Sequence, residues 1–546
     1  MLQDKKMIVW GTGDKSKLFT QHLWKMQPEF YVDNNEDKNN TILYGKRVVL
    51  PSCVECWEEY LVVVAIKEYE SVYKQLEQYG LKHGIDFMHF TEVLRSNEYV
   101  EKMISTDIEN ALHDIENRAE ILQNRILIWG AMLAFDSNSI ANLNEVNKSE
   151  HIIVFSEASK ERIMTNVTNE DIIFDYYELP FILLKNHYLK QRQNTLLNRN
   201  FQCEYIAQKD YLNDARKVLR KKYWSMEYGY ENYMIYYYDY FIRRVMDILK
   251  PKCVVMWNQF YPLHAVLDYV CHEMGVKVVY IEYGSLPGTY AIDYRGQMGE
   301  SIVSVESEWF KALTVEEEEL EYAEKVWRYL FTSRLNRKIQ PENDWISEIN
   351  RKIRQDRPII FYAGQNDYES GLYPYTERTK EFHSPVFKSS MDALVFLAEK
   401  ARENNWNLIY KPHPVCMEER ISVPNNVILI KEGDINDIIN FADVTVTILS
   451  QVGYISTIRK KPTVMLGYTQ LKGKECTYEA FERDKIMSII KEALIDGFTS
   501  AQERNFLRHI AQLVKYYLYD DNSTKEISFG KQFNELWRCK NNSVLK

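Results

Sequence analysis

Residues 407–414 form the segment whose residue types point most directly to chemistry. The apolar run NLIY leads straight into Lys411-Pro412-His413-Pro414. Because the two prolines restrict the backbone on both sides of His413, they fix the direction of its imidazole. An imidazole with a lysine beside it can donate to phosphate oxygens and neutralise the charge on a departing nucleotide. The segment therefore predicts a phosphate-binding turn; the alternative is a rigid strand-end turn with a solvated histidine.

A second polar strand end follows at Ser450. The run VTVTIL leads to Ser450-Gln451-Val452-Gly453 and then into a short helical pattern. Free N–H groups and the dipole at the start of a helix favour a phosphate. We therefore expect Ser450, Gln451 and Gly453 to contact a phosphate group, with a plain N-cap at Ser450 as the alternative.

These strand ends belong to a chain of 546 residues in which strands and helices alternate in three series. Residues 1–95 show the βαβ rhythm of a small parallel-sheet domain. The second series has strands at RILIWGA, HIIVFSE, DIIFDY, CVVMWNQF, VKVVYIEYG and SIVSVE, and the third runs from RPIIFYAGQ to PTVMLG. In open parallel sheets ligands bind at the carboxyl ends of strands, which is where the polar segments lie.

The predicted fold class is α/β, and two successive doubly wound domains joined by an acidic helix match the GT-B plan of glycosyltransferases. The predicted segments are an N-terminal Rossmann-like domain at 1–95, a helical connector at 96–125, an acceptor-side GT-B domain at 126–310, a helical linker at 311–355, a donor-side GT-B domain at 356–500, and a C-terminal helix and tail at 501–546.

The first turn of the N-terminal domain carries part of a dinucleotide fingerprint. Gly11 and Gly13 follow the first strand, and Asp33 ends the next one. In the full fingerprint, glycines admit a pyrophosphate and the acid binds a ribose. Ser16 stands at the third glycine position, so we interpret Gly11 and Gly13 as turn residues and predict no cofactor; bound NAD is the alternative.

Composition excludes several classes of function. The 68 Lys and Arg against 78 Asp and Glu give a net charge of -10, without the basic surplus that non-specific nucleic-acid binding needs. No apolar run approaches the roughly 20 residues that cross a bilayer, and no signal-peptide core follows Met1. Cys53 and Cys56 lack a partner pair for zinc, so no metal site is expected.

The order of the motifs resembles the capsular polysaccharide glycosyltransferase family that includes the bacterial Kdo transferases. The shared features, over residues 250–470, are strand–KPHP, a helix ending in Ala-Asp, strand–Ser-x-x-Gly–helix, and Lys-Pro-x-Val-x-Leu-Gly. The segment FYAGQNDYESGLYPY is similar to the family's Gln-x-Asp loop, which implies that Gln365 and Asp367 belong to the donor site. Tyr454-Ile455 stands where the family often has an acidic-Ala pair, which leaves the donor open.

The resemblance also implies an acceptor side, on the segment that begins at the last residue of VVYIE. Glu282-Tyr283-Gly284 is similar to the family's Glu-x-Gly loop, and Asp293 and Glu300 follow it. Transfer to a sugar hydroxyl needs a group that takes its proton, and we rank Glu282 first, Asp293 second and Glu300 third. The alternative for Glu282 is an acid that caps a loop or pairs with Arg295.

Two further segments are ambiguous from sequence. Asn258, after CVVMW, is expected to line the acceptor side of the cleft, whereas His264 is interpreted as a structural histidine. Residues 223–244 are rich in tyrosine and are interpreted as a packing or oligomer surface, with binding of an acceptor glycan as the alternative.

Together these features predict a cytoplasmic, metal-independent glycosyltransferase with a nucleotide-sugar donor and a glycan or glycolipid acceptor in a capsular or other surface polysaccharide. By resemblance the favoured donor is CMP-Kdo or a similar CMP-linked ulosonic acid, and a UDP-hexose is the alternative. A teichoic-acid type polyol-phosphate transferase and a non-catalytic nucleotide-binding protein are the other two hypotheses. Peripheral association with the inner face of the cytoplasmic membrane and the oligomeric state stay open.

Overall fold

The computed structural model describes residues 5–23, 27–67, 69–93, 108–129, 152–156, 174–178, 205–206, 208–222, 230–335, 345–414, 423–521, 524 and 526–530. The chain forms two compact units, one of residues 1–119 and 179–248 and the other of residues 120–178 and 249–546. Part of the tyrosine-rich segment (223–229), the start of the predicted connector (96–107) and the tail (531–546) lie outside the described residues.

The described residues form nineteen strands and seventeen α-helices. The strands are β1 Lys6–Trp10, β2 Tyr31–Val32, β3 Ile42–Leu43, β4 Lys46–Val49, β5 Tyr60–Val64, β6 Phe87–His89, β7 Ile126–Trp129, β8 Ile152–Ser156, β9 Phe174–Glu178, β10 Cys253–Trp257, β11 Val278–Tyr283, β12 Thr289–Asp293, β13 Ile359–Ala363, β14 Asn407–Lys411, β15 Val427–Leu429, β16 Val444–Thr447, β17 Thr463–Met465, β18 Tyr478–Glu479 and β19 Leu518–Asp520. The helices are α1 Asp14–Lys17, α2 Glu70–Gln78, α3 Phe90–Val93, α4 Ala119–Leu122, α5 Asp210–Lys222, α6 Tyr230–Leu249, α7 Pro262–Glu273, α8 Ile302–Val305, α9 Ser307–Lys311, α10 Glu317–Ser333, α11 Trp345–Asn350, α12 Glu377–Phe382, α13 Ser390–Glu403, α14 Ile435–Phe441, α15 Val452–Ile458, α16 Ile486–Asp496 and α17 Ser500–Gln512.

The first unit contains a six-stranded sheet in the order β3-β4-β2-β1-β5-β6. All its strand pairs are parallel except β3 with β4. Apolar residues of β1 and β5, such as Ile8 and Val62, are fully buried in its core. This is the Rossmann-like sheet that the alternation of strands and helices predicts for the N-terminal region.

The second unit contains two further sheets, of seven and six strands. The seven-stranded sheet has the order β19-β12-β11-β10-β7-β8-β9. The pairs among β7 to β11 are parallel, and β12 pairs antiparallel with both β11 and β19. The six-stranded sheet, β15-β14-β13-β16-β17-β18, is parallel throughout. Two doubly wound sheets after an additional N-terminal Rossmann-like sheet confirm the predicted α/β fold class of the GT-B type.

Both faces of the six-stranded sheet are covered, which explains why its strands are almost continuously apolar. Ile360 and Tyr362 of β13 face one buried cluster together with α13, whereas Phe361 and Ala363 face a second cluster together with α14. Ser389 caps α13 by accepting a hydrogen bond from the N–H of Asp392. A sheet held on both faces leaves only its strand ends open to a ligand, and these ends carry the polar motifs.

One predicted strand is wrong: in SIVSVE, residues Ile302–Val305 form helix α8. The N–H of Ile302 donates to a carboxylate oxygen of Asp293 at 2.9 Å, so an acid from the end of β12 accepts a hydrogen bond from the first residue of this helix. A short apolar run does not distinguish a strand from a buried helical turn. The predicted closing helix is confirmed as α17, which continues as a π-helical turn and ends in β19.

Within the described residues, no helix is both long and apolar enough to span a membrane.

Candidate active site

A cleft of about 440 Å³ in the second unit is lined by residues that follow strands of both its sheets. Eight of the residues predicted from sequence line it: Asn258, Glu282, Gly284, Gln365, Lys411, His413, Ser450 and Gln451. Four others, Asp293, Glu300, Asp367 and Gly453, do not line it. The structure thus brings together most of the predicted donor side and the highest-ranked acid of the acceptor side.

The Lys411–His413 turn lies at the end of β14, whose five residues are all buried. Lys411 is buried, and its Nζ donates to the carbonyl of Lys431 at 3.0 Å. Burial lowers the pKa of Lys411, and the nearby Glu432 and Asp434 oppose that shift. Because an ammonium has three donors, this one bond leaves two for a ligand. His413 is half-buried and lines the same cleft as Lys411.

The Ser450 turn contributes less to the cleft than its sequence suggests. The hydroxyl of Ser450 accepts from the N–H of Val452 at 3.3 Å, so it also serves as a helix-start partner. The amide of Gln451 donates to the carbonyls of Gly284 and Ser285, both at 3.0 Å, and therefore links the two sheets. A Cβ at Gly453 would lie 2.9 Å from Sδ of Met465, so packing accounts for this glycine.

Gln365 and Asp367, at the end of β13, have different environments. Gln365 is 8% exposed and lines the cleft, and its Oε1 has no hydrogen-bond partner among the described residues. Both carboxylate oxygens of Asp367 accept from the N–H of Ser390, at 3.0 and 3.1 Å. Asp367 therefore stabilises the start of α13. It does not line the cleft, so its contacts do not support the predicted role in donor binding.

On the acceptor side, Glu282 lines the cleft near the end of β11, and its Oε1 accepts from the N–H of Met298 at 3.0 Å. Gly284 follows it, and a Cβ there would lie 1.9 Å from the hydroxyl oxygen of Thr289. The glycine is required by this close approach, which lets the chain turn from β11 into β12.

Asp293, the acid ranked second, is 3% exposed and holds the surrounding loop. Its oxygens accept from the N–H groups of Arg295 at 2.7 Å and Ile302 at 2.9 Å, and from the hydroxyl of Tyr517 at 3.0 Å. Burial raises the pKa of Asp293, and these hydrogen bonds oppose the shift. An acid with these partners and outside the cleft does not fit the role of acceptor base.

Glu300, ranked third, is 5% exposed and lies in a cluster of hydrogen-bond donors. Arg378 donates to its two oxygens at 2.7 and 2.5 Å, His383 Nε2 lies 3.1 Å away, and Gln259 Nε2 donates at 2.7 Å. Burial alone would raise the pKa of Glu300, but the hydrogen bonds and charges of His383 and Arg378 outweigh it and hold the value at about 2. Glu300 is therefore an ionised structural partner rather than a cleft residue.

Asn258 and His264 follow β10. Asn258 has a left-handed φ of +51°, its Oδ1 accepts from the N–H of Phe260 at 3.0 Å, and its Nδ2 donates to the carbonyl of Glu369 at 3.4 Å. His264 is 5% exposed and its Nδ1 lies 2.6 Å from the carbonyl of Trp257. This bonded, buried imidazole agrees with its interpretation as structural.

Several lining residues were missed from sequence: Trp257, Tyr283, Asn366, Glu369, Ser370, Thr469 and Gln470. Trp257 and Tyr283 meet edge to face, with ring centroids 5.0 Å apart, and Tyr283 is 42% exposed. Their position at the ends of β10 and β11 would have allowed both to be predicted from the sequence as lining residues. Thr469 and Gln470 follow β17 at a greater distance along the chain, and no local motif marks them.

The partial fingerprint of the first unit is explained by its turn. Gly11 has φ +115°, and a Cβ there would lie 2.8 Å from the carbonyl oxygen of Ala65. The carboxylate of Asp33 accepts hydrogen bonds from the hydroxyl of Thr12 and from Lys38 Nζ, the latter at 3.1 Å. These contacts account for Gly11 and Asp33 without reference to a cofactor.

Two observations concern cysteine and metal chemistry. Cys53 and Cys56 are exposed free thiols. Among the residues that the structure describes, no group of three or more His, Cys, Asp or Glu side chains is placed to hold a metal ion.

Comparison with known proteins gives one family match, limited to the N-terminal module. Residues 3–84 match the model of the C2185-like N-terminal family. No curated protein matches the chain. The family match covers too little of the chain to assign the second unit, where the cleft lies.

Solved structures give partial likenesses over longer stretches. KpsC of Thermosulfurimonas dismutans, a beta Kdo 2,7 transferase, is 17% identical, with 55% of this chain and 87% of that chain covered and a TM-score of 0.32. The beta Kdo 2,4 transferase KpsC of the same organism is 14% identical, with 48% and 88% covered and a TM-score of 0.33. The Methanocaldococcus jannaschii UDP-GlcNAc 2-epimerase is 12% identical, with 70% and 98% covered and a TM-score of 0.28. At these identities and TM-scores the likenesses assign neither a family nor an activity to the chain.

Proposed function

We propose that the chain is a glycosyltransferase that moves a sugar from a nucleotide-activated donor to a hydroxyl group of a glycan acceptor. One observation carries the proposal: Glu282, from the seven-stranded sheet, and His413, from the six-stranded sheet, line the same cleft. A carboxylate and an imidazole on the two sides of one cleft are what transfer between a phosphate leaving group and a hydroxyl requires. The six-stranded sheet of the second unit then binds the donor, and its seven-stranded sheet contributes the acceptor side.

In the proposed reaction the acceptor oxygen attacks the anomeric carbon of the donor sugar. Glu282 takes the hydroxyl proton as the new carbon–oxygen bond forms. The bond between the anomeric carbon and the phosphate oxygen breaks, and its electron pair leaves with the nucleotide. His413 and the ammonium of Lys411 donate hydrogen bonds to that phosphate and so stabilise the charge that develops on it.

For the donor, the resemblance of the ordered motifs favours a CMP-linked ulosonic acid of the CMP-Kdo type, with a UDP-hexose as the alternative. Burial of Lys411 strengthens its attraction for a phosphate, because charges interact more strongly where water is excluded. For the acceptor we propose a capsular or other surface glycan. The exposed ring of Tyr283 and the neighbouring Trp257 offer an apolar surface on which a sugar ring can pack.

A binding screen followed by a transfer assay tests the proposal. A ligand that binds only the native state raises its melting temperature by mass action, so CMP, UDP, GDP, CDP and NAD are compared by thermal shift. We expect stabilisation by CMP or UDP and release of that nucleotide from its sugar conjugate when a glycan acceptor is added. Transfer of a phosphorylated polyol with release of CMP would instead identify a polyol-phosphate transferase. Nucleotide binding without transfer or donor hydrolysis would identify a non-catalytic binding protein.

A further inference from the structure

One contact of the Glu282 carboxylate comes from a short loop, residues 296–300. The N–H of Met298 donates to Glu282 Oε1 at 3.0 Å. Met298 has φ +51°, a left-handed backbone conformation that is uncommon outside glycine. An unfavourable backbone conformation persists only where neighbouring contacts hold it in place. The contacts that hold this loop therefore contribute to the direction of the Glu282 carboxylate.

Part of that support comes from the acceptor side itself. The side-chain oxygen of Gln297, which is 1% exposed, accepts from the N–H of Gln259 at 2.5 Å. The side-chain nitrogen of Gln297 donates to the carbonyl of Ile281 at 2.8 Å. These two bonds tie the start of the loop to the ends of β10 and β11.

Further support comes from the donor side. Arg378 of α12 donates through two nitrogens to the two oxygens of Glu300, and His383, just after α12, approaches the same carboxylate at 3.1 Å. The loop also lies directly against this segment, since a Cβ at Gly299 would be 1.7 Å from the carbonyl oxygen of Phe382. A paired Arg fork fixes direction as well as distance, so the loop cannot shift along α12 without losing it.

We propose that Glu300, Arg378 and His383 are positioning residues, which orient the acceptor base Glu282 by fixing the loop that carries the N–H of Met298. The inference rests on the proposed function, in which Glu282 takes the acceptor proton. Because Arg378 and His383 belong to the donor side, the donor side of the cleft sets the direction of the base on the acceptor side. Neither residue lines the cleft, so neither is expected to contact the donor.

The test measures donor affinity and turnover separately in Arg378→Gln. The side chain of Arg378 is 57% exposed, so its replacement leaves the fold accessible to measurement. We expect kcat to fall by about 10-fold to 100-fold, the range that misplacement of a catalytic group produces, while the Kd of the donor nucleotide stays within about 2-fold. Arg378→Lys keeps the charge without the fork and should give an intermediate kcat.

Arg295→Gln is the matched control. Arg295 lies near the same loop, and its guanidinium pairs with the half-exposed Glu306 at 3.1 Å. It should leave both kcat and Kd at the wild-type values. If Arg378→Gln does not fold, His383→Gln takes its place with the same two readouts, because it removes one contact of Glu300 and nearly preserves the volume.

The outcomes distinguish failure of the positioning role from failure of the proposed function. The positioning role would be rejected, and the proposed function left intact, if the wild-type protein transfers sugar, Glu282→Gln is inactive, and both Arg378→Gln and His383→Gln are fully active. Loss of donor binding in step with kcat would also reject it, since that is the signature of a merely structural role. Absence of transfer by the wild-type protein with every donor class would overturn the proposed function and this inference with it.

Discussion

The six-stranded sheet presents three strand ends whose side chains line the cleft, whereas the seven-stranded sheet places three acids close together and exposes only one of them there. On the first side Gln365, Lys411 and Ser450 all line the cleft. On the second, Asp293 and Glu300 accept hydrogen bonds from other groups of the protein and do not line the cleft, whereas Glu282 lines it. A turn between strands leaves N–H groups that need acceptors, and an acid next to the turn supplies them. Proximity of an acid to a strand end is therefore weak evidence that it reaches a ligand.

The strongest way to break this contrast is to neutralise the acids one at a time. Glu282→Gln nearly preserves shape and removes the base, so we expect transfer to fall by about 10³-fold, with donor affinity within a few-fold of wild type. Steady-state transfer and nucleotide binding by calorimetry check this. Full activity of Glu282→Gln would place the base elsewhere.

Asp293→Asn is the matched comparison. Its amide nitrogen would face backbone N–H donors, so we expect a loss of about 1–3 kcal/mol in the free energy of unfolding, with transfer largely retained in the folded protein. Denaturant unfolding and transfer assays on the same preparation distinguish the two effects. An inactive Asp293→Asn beside an active Glu282→Gln would move the base to Asp293 and reverse the contrast.

The pH dependence of stability probes the third acid. With its pKa at about 2 in the folded protein, Glu300 stabilises the fold at all pH values above its ordinary pKa of 4.5, and this contribution is lost as the pH falls through the folded value. The difference corresponds to about 3 kcal/mol, since one pKa unit is worth about 1.4 kcal/mol. Glu300→Gln should therefore lose less stability than wild type between about pH 5 and about pH 2 in urea unfolding.

Glu306→Gln is the control for this experiment. Glu306 is a half-exposed partner of Arg295, and such surface pairs contribute about 0–1 kcal/mol. It should leave the acid dependence of the wild-type protein unchanged. Equal acid dependence in wild type and Glu300→Gln would contradict the pairing with Arg378 and His383.

On the donor side, His413→Ala removes a donor to the leaving phosphate. We expect turnover to fall by about 10²-fold. The melting temperature should change little, because His413 is only half-buried. Transfer kinetics with the preferred nucleotide sugar provide the measurement. His83→Ala, at a partly exposed histidine of the first unit, should leave turnover unchanged; near-normal turnover in His413→Ala would remove the imidazole from the mechanism.

The smallest effect is expected at the donor-side acid that does not line the cleft. Asp367→Asn weakens the contact with the N–H of Ser390, which should lower the free energy of unfolding by about 1 kcal/mol and leave donor binding unchanged. Ser389→Ala, which removes the cap of the same helix, should have a similar effect on unfolding. Weaker nucleotide binding in Asp367→Asn alone would return this acid to the donor site.

Much of the architecture is predictable because strands buried on both faces produce apolar runs that end at polar turns. The turn from Lys411 to Pro414 is predictable because it follows such an apolar run. Its own prolines also restrict its backbone. The roles of Asp293 and Gln451 were not predictable, because their partners, Tyr517 and the carbonyl of Gly284, are distant in sequence. The helix at Ile302–Val305 was predicted as a strand because a short apolar run does not distinguish a strand from a buried helical turn.

The pairing of β19 with β12 has a consequence for synthesis of the chain. Thr289 lies opposite Asp520, so the seven-stranded sheet receives its edge strand only after every strand of the six-stranded sheet has left the ribosome. Contacts of such long sequence separation slow folding, and an open strand edge is a template for pairing with other chains. A nascent chain that stops before Leu518 would expose the N–H and C=O groups of β12. Premature termination is therefore expected to yield aggregation-prone products, and holdase chaperones should associate preferentially with chains at this stage of translation.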